Sequence, residues 1–219
     1  MKKTIILIIA VVLVFLIVKQ LQKQDTTTNQ NEEVSTETTQ ESNDTISETT
    51  TLEDGNYTVI ESESELHWVG KMGSIKSHTG TLGIQSGNII IVDSSATGEV
   101  IIDMNDITSD SDGVNGHLKS DDFFAVETYP TSTFMITGFD GMNLDGELTV
   151  KDQTHAISIP VSVTENEGMY ALSGSFDFDR SQWDVRYGST SFFDDLGDKA
   201  IDNIVPITFT LTLSKDSQE

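Results

Sequence analysis

The sequence predicts an all-β fold, an antiparallel up-and-down barrel with a short helical lid, and three observations predict it. From residue 56 to residue 214 the dominant hydrophobic period is two, so each strand carries one apolar and one polar face. Turn-forming clusters separate these runs at spacings that leave mostly hairpin-length connections. One stretch, residues 116–124, breaks the rhythm: Leu118, Phe123 and Phe124 recur at helix-like spacing, with His117, Lys119, Ser120, Asp121 and Asp122 on the other side. That predicts one or two amphipathic helical turns, stopped at Tyr129 and Pro130 before a strand opens at Thr131.

The chain before the barrel divides in two. Residues 1–24 hold four lysines, no acid and an apolar run at residues 5–18 closed by Lys2, Lys3, Lys19 and Lys23. The run is shorter than the ~20 residues that span a bilayer comfortably, but flanking lysines can snorkel and the bilayer can thin. No small-residue cleavage site follows it, so an uncleaved membrane-anchor helix is expected, with a cleaved signal peptide as the alternative. Residues 25–55 carry nine acids and no base among Thr, Ser, Asn and Gln. Such a segment cannot bury enough surface to offset its ordering entropy, and a disordered tether with a reach on the order of 30 Å is expected. The very short amino-terminal tail and the tether lead to the expectation that the rest of the chain lies outside the cytoplasm, anchored by this segment, or periplasmic or secreted if the segment is cleaved.

The strands follow in order. Inward parity runs through Leu66, Trp68 and Gly70; Leu82 and Ile84; Val100, Ile102 and Met104; Phe134 and Ile136; Leu144, Leu148 and Val150; Ile157, Ile159, Val161 and Val163; Leu172, Phe176 and Phe178; and Val205, Ile207, Phe209, Leu211 and Leu213. Turns are expected at Ser86 and Gly87, at residues 93–95, at Asp140 and Gly141, at residues 151–153 and at residues 166–168. About ten short strands with hairpin turns close most simply into a barrel, which removes the sheet edges; a two-sheet sandwich is the alternative. Pro160 lies within a strand and demands a bulge or a local edge there. Gly70, Gly80, Gly98, Gly146 and Gly174 fall at or near inward positions, where they either leave space for a guest or mark bends and bulges. Residues 215–219 form a tail.

Composition and motifs exclude several chemistries. Asp+Glu 36 against Lys+Arg 12 gives a net charge of −24, which repels nucleic acid and anionic lipid head groups. Cysteine is absent, so thiolate catalysis, disulfides and thioether lipidation are excluded. His117 and Asp121 stand four apart, but His67, His78 and His155 lie on other segments and supply no third ligand pattern, so no metal site is expected. Thr108, Asp110, Asp112 and Gly113 mimic the start of a calcium loop that fails at Thr108 and Lys119. His117, Ser120 and Asp121 contain the letters of a hydrolytic triad without a nucleophile elbow, and no enzyme activity is expected. Arg180 and Arg186, the barrel's only arginines, sit among Asp177, Asp179, Asp184, Asp194, Asp195 and Asp198. Bidentate ion pairs pinning that loop across a barrel end are expected, or reception of a polar head group by one of them.

Several ordered motifs resemble a known family. They are Trp68, Val69, Gly70 and Lys71 with Ser77, His78, Thr79, Gly80 and Thr81; Ile102, Asp103 and Met104 with residues 116–124; and Tyr129, Pro130, Thr133 and Phe134. Gly146, Glu147, Leu148, Thr149 and Val150 follow with Thr154 and His155, and then Asp179, Arg180, Trp183, Arg186, Tyr187, Gly188, Ser189, Ser191, Phe192, Phe193, Leu196, Gly197 and Asp198. Together they resemble the YceI-like, lipid- or polyisoprenoid-binding domain, over nearly all of residues 56–213. Asp152 departs from that family's usual turn glycine. The resemblance implies a bacterial cell-envelope protein, a lipocalin-like barrel holding a long isoprenoid, polyisoprenoid or quinone-like, in an apolar tunnel, with no established catalytic activity; no cofactor is expected.

A long-chain isoprenoid or other amphiphilic lipid is therefore the expected partner, with the membrane reached through the anchor, no nucleic acid, and no protein partner named. The expected lining is Trp68, Val100, Ile102, Met104, Phe134, Ile136, Leu148, Phe176, Phe178 and Phe209, lidded by Leu118, Phe123 and Phe124, with Phe192 and Phe193 at the mouth. The rival is a ligand-free, solid barrel acting as an envelope interaction module.

Overall fold

The computed structural model describes residues 50–74 and 76–217, and within them the period-two pattern becomes ten strands. They are β1 (Gly55–Val59), β2 (Glu65–Met72), β3 (Lys76–Thr81), β4 (Gly83–Val92), β5 (Ser95–Asp103), β6 (Thr131–Phe139), β7 (Asn143–Val150), β8 (Gln153–Asn166), β9 (Met169–Asp179) and β10 (Ile204–Lys215). One α-helix, α1 (Asp112–Lys119), interrupts them between β5 and β6.

All pairings are antiparallel, and they close a ring. β1 and β2 lie end to end along one edge of β10, Val59 opposite Leu213 and Leu66 opposite Phe209, so they form one broken stave. The break is held by Thr212, whose carbonyl accepts from the Ile60 N–H, whose N–H donates to the Ser64 hydroxyl and whose own hydroxyl donates to the Glu63 carbonyl. β3 and β4 form the next stave in the same way, β3 on β2 and β4 on β1. Ten strands thus make eight staves and a closed barrel, not a sandwich. The free edge of β3 is covered by residues 108–110, whose backbone N–H groups donate to the Thr81 and Thr79 carbonyls.

Pro160 occupies a local edge. β8 pairs with β7 from Gln153 to Pro160 and with β9 from Val161 to Asn166, so the proline stands where the strand changes partner. Asp93 and Ser94, and likewise Lys151 and Asp152, adopt left-handed φ in two-residue hairpin turns; Asp152 manages at φ 58° without glycine.

Three expectations need correction. Ser86 and Gly87 form no turn: β4 runs through them with a bulge between Ile84 and Ser86, because Gly87 packs against Val59 and Glu99. The helix spans 112–119 rather than 116–124; Ser120 ends it with its N–H on the His117 carbonyl, and Phe123 and Phe124 lie in the turn that follows. The folded body extends beyond residues 56–214: Leu52 is buried, Gly55 opens β1, and the Asp216 N–H donates to the Asn56 carbonyl. The expected anchor over 1–24 and most of the tether over 25–55 lie outside the described residues, among which no helix is long and apolar enough to cross a membrane.

Inward residues fill the end of the barrel that carries the 93–94, 140–142 and 167–168 turns. Tyr57, Ile89, Ile91, Val163, Leu172 and Leu213 are each at most 1% exposed there. Tyr57 and Tyr170 meet edge to face at 5.4 Å. Leu172→Ala should cost about 2–5 kcal/mol in urea unfolding, with an unchanged m-value. Gly146→Ala should also destabilise the fold, because a Cβ there would lie 2.5 Å from both the Met135 carbonyl oxygen and the Phe134 ring.

Candidate ligand-binding cavity

The opposite half of the barrel is hollow. A cavity of about 330 Å³ is walled by the upper ends of β2, β5, β7, β9 and β10, with Trp68, Ile102, Leu148, Phe178 and Ile207 among its lining. Its floor follows from the glycines, whose space is taken by aromatic rings rather than left empty. The Phe134 ring lies over Gly146, the Phe209 ring over Gly174, and Trp68 with the Thr108 carbonyl over Gly80. Gly98 serves the wall, at φ 140° with its Cα against the Asn88 carbonyl. The two readings of the inward glycines are thus resolved toward ring faces and close backbone contact.

The hollow half needs a wall that the strands alone do not supply. Beyond Pro160 the β8–β9 ladder stops, and the upper parts of these strands are no longer paired to each other. Residues 180–203 fill the gap. Trp183, 2% exposed, donates from Nε1 to the Leu148 carbonyl (3.0 Å) and packs on Phe178 and His155 at 4.7 and 4.9 Å. His155 Nε2 donates to the Gln182 carbonyl at 2.9 Å.

Arg180 holds the loop to itself. Its guanidinium, 3% exposed, donates from Nε to the Asp202 carbonyl, from one terminal nitrogen to the Val185 carbonyl and from the other to the Ile201 carbonyl, at 2.8–3.0 Å. Burial pulls its pKa below the ordinary arginine value, and the charges of Asp179 and Asp202 oppose that pull. The expected bidentate carboxylate pairs are not formed: backbone carbonyls turn toward Arg180 because a loop crossing a barrel end has no ladder partners of its own. Arg186 makes a single contact, Nε to Asp184 at 2.6 Å, on the surface.

α1 closes the top through Val114, His117 and Leu118. His117 is wedged edge-on between Phe123 at 4.9 Å and Tyr187 at 4.4 Å, joining the helix to the 180–203 loop. Its Nε2 meets Asp122 at 3.1 Å rather than Asp121, four residues on. Among the described residues no three His, Asp or Glu side chains are grouped to hold a metal. The cavity reaches solvent where its lining becomes exposed, at Lys71, Lys76 and Tyr187.

The sequence profile of the YceI-like domain matches residues 57–213. The chain belongs to the YceI-like family. Its barrel is similar to that of Burkholderia cenocepacia BcnA, at 21% identity over 70% of this chain and 98% of that one, with a TM-score of 0.57. It is also similar to a polyisoprenoid-binding domain from Saccharophagus degradans implicated in plant cell wall breakdown, at 16% identity over 73% and 98%, with a TM-score of 0.60. At these identities the likeness is one of fold. A comparison with curated proteins returns no match.

Within this YceI-like barrel, Trp68, Ile102, Met104, Leu118, Phe123, Phe124, Leu148, Phe176 and Phe178 line the cavity. Val100, Phe134, Ile136 and Phe209 are not among its lining; they sit lower on the same inward parity, Phe134 and Phe209 in the packed layer on which the cavity floor rests. Phe192 and Phe193 do not line the mouth either; they are 38% and 49% exposed on the outer side of the 180–203 loop, with the Arg186 guanidinium 5.1 Å above the Phe192 ring. Parity says which face a residue takes, not how high in the barrel it lies.

The sequence reading missed polar lining that parity does mark. Ser132 continues the ladder of Phe134 and Ile136, Arg180 that of Phe176 and Phe178, and Lys76 and His78 face inward opposite Met72 and Gly70. Val185, Tyr187 and Ile201 lie in an aperiodic loop and carry no such signal. Arg180→Lys should leave the carbonyls of Val185 and Ile201 unpaired and destabilise the protein by about 2–4 kcal/mol. Limited proteolysis should then cut within residues 184–203 before the rest of the barrel opens.

Proposed function

We propose that this YceI-like protein carries or sequesters a neutral amphiphile whose isoprenoid or acyl tail occupies the hollow upper half of the barrel. One observation carries the reading: a cavity of about 330 Å³ with almost wholly apolar walls opens to solvent beside the exposed Tyr187. At ~30 Å³ per water-sized group it has room for roughly eleven such groups, a chain of about a dozen carbons. At about 0.8 kcal/mol per buried methylene that offers roughly 8–9 kcal/mol before the losses of immobilisation. A longer isoprenoid therefore runs out through the mouth. The polyisoprenoid binding named for the Saccharophagus degradans domain supports the choice of tail.

The hollow favours a carrier over a ligand-free module. In this reading Trp68, Ile102, Met104, Leu148, Phe176 and Phe178 touch the tail, and Leu118, Phe123 and Phe124 cover it. The lysine-flanked apolar run at residues 5–18 supports tethering to an envelope membrane with the barrel outside the cytoplasm. The chain joins the barrel at its packed end, where the Thr50 N–H donates to the Val163 carbonyl, so the mouth is at the end remote from that junction.

Native mass spectrometry of the purified protein should show a co-purifying lipid mass, or uptake of an added polyprenol with a change in Trp68 fluorescence. A clean apo mass that no prenyl or acyl compound alters would overturn the reading. Ile102→Trp, which fills about two methylenes' worth of the hollow, should weaken uptake roughly tenfold while circular dichroism shows the barrel intact.

A further inference from the structure

We infer that the guest carries an uncharged oxygen into the cavity and that Ser132 is the residue that selects it. The inference rests on the carrier reading and adds the chemistry of the buried part of the ligand. Ser132 is 3% exposed, lines the cavity, and its hydroxyl has no hydrogen-bond partner. A buried hydroxyl without a partner is costly, so a site that keeps one empty-handed is complementary to a guest that brings the partner.

The surroundings exclude a simpler occupant. Ser132 faces Ile102 across the β5–β6 ladder and lies one place beyond the Thr133–Thr149 pair, beside Val150, and both of these neighbours also line the cavity. A lone water needs two to four polar partners, and this apolar neighbourhood supplies one. Arg180 lines the same cavity, but its guanidinium already donates to the Asp202, Val185 and Ile201 carbonyls. The Ser132 hydroxyl therefore offers the guest a proton with no other taker. A ketone, quinone or ether oxygen accepts it. A carboxylate or phosphate would lose far more hydration than one serine and a carbonyl-satisfied arginine return. The amphiphile thus buries its oxygen against Ser132.

The test compares geranylacetone, a short isoprenoid ketone, with its deoxygenated hydrocarbon analogue, titrated into the full-length protein and read by Trp68 fluorescence. Ser132→Ala should weaken geranylacetone about five- to tenfold and leave the hydrocarbon within about twofold, and Ser132→Thr should retain the ketone affinity. Equal changes for both compounds, or no change for either, overturn the inference while the carrier reading stands. Uptake of the hydrocarbon without the ketone by the wild-type protein does the same. Uptake of neither compound overturns the carrier reading and the inference with it.

Discussion

The hydrogen-bond ladder along one edge of β10 holds the barrel shut, and the rest of the structure depends on it. That edge serves two short strands in succession, β1 near Leu213 and β2 near Phe209. The five residues between them would leave backbone groups unpaired were Thr212 and Ser64 not placed to receive them. With the ring closed there is one interior and no exposed edge to template association. Eight staves set its width to something that side chains can fill, or that can hold one small guest, and this protein does one at each end.

What divides filled from hollow is the size of the inward residues and the behaviour of β8. Toward the 93–94, 140–142 and 167–168 turns, Tyr57, Tyr170 and the branched aliphatics meet across the axis and exclude solvent. At mid-height the rings of Phe134 and Phe209 turn over glycines and make a floor. Above it, Pro160 marks the height at which β8 and β9 part, and the wall passes to residues 180–203. A loop in that position has many backbone groups to satisfy and few neighbours. Arg180 answers three carbonyls at once, and Trp183 answers a fourth. The hollow persists because a polar network within its wall holds that wall in place, so nothing need collapse into it.

The chemistry of the interior contrasts with that of the surface. A chain of net charge −24 encloses a cavity with almost no polar surface and a single buried cation. Such a surface repels nucleic acid, while the apolar cavity is indifferent to salt. Charge governs the outside of this barrel and apolar area its inside.

The strand ladders were legible in the sequence because side-chain direction alternates along an extended chain whatever its neighbours do. Ile159 and Val163 inside and Ser158 and Ser162 outside follow from that alone. The two-residue turns at Asp93–Ser94 and Lys151–Asp152 were equally local. Height along the barrel axis was not legible. Val100 and Ile102 share a parity and read alike, yet one packs in the core beside the Phe134 floor and the other lines the cavity, a difference set by which strands meet at what register. The carbonyl partners of Arg180 and the cap of Trp183 on Leu148 join residues up to 35 positions apart. The sequence by itself determined the faces of the strands, through local backbone geometry; the tertiary structure alone decided where the interior is full and where it is hollow, because volume is filled by residues that only the closed ring brings together.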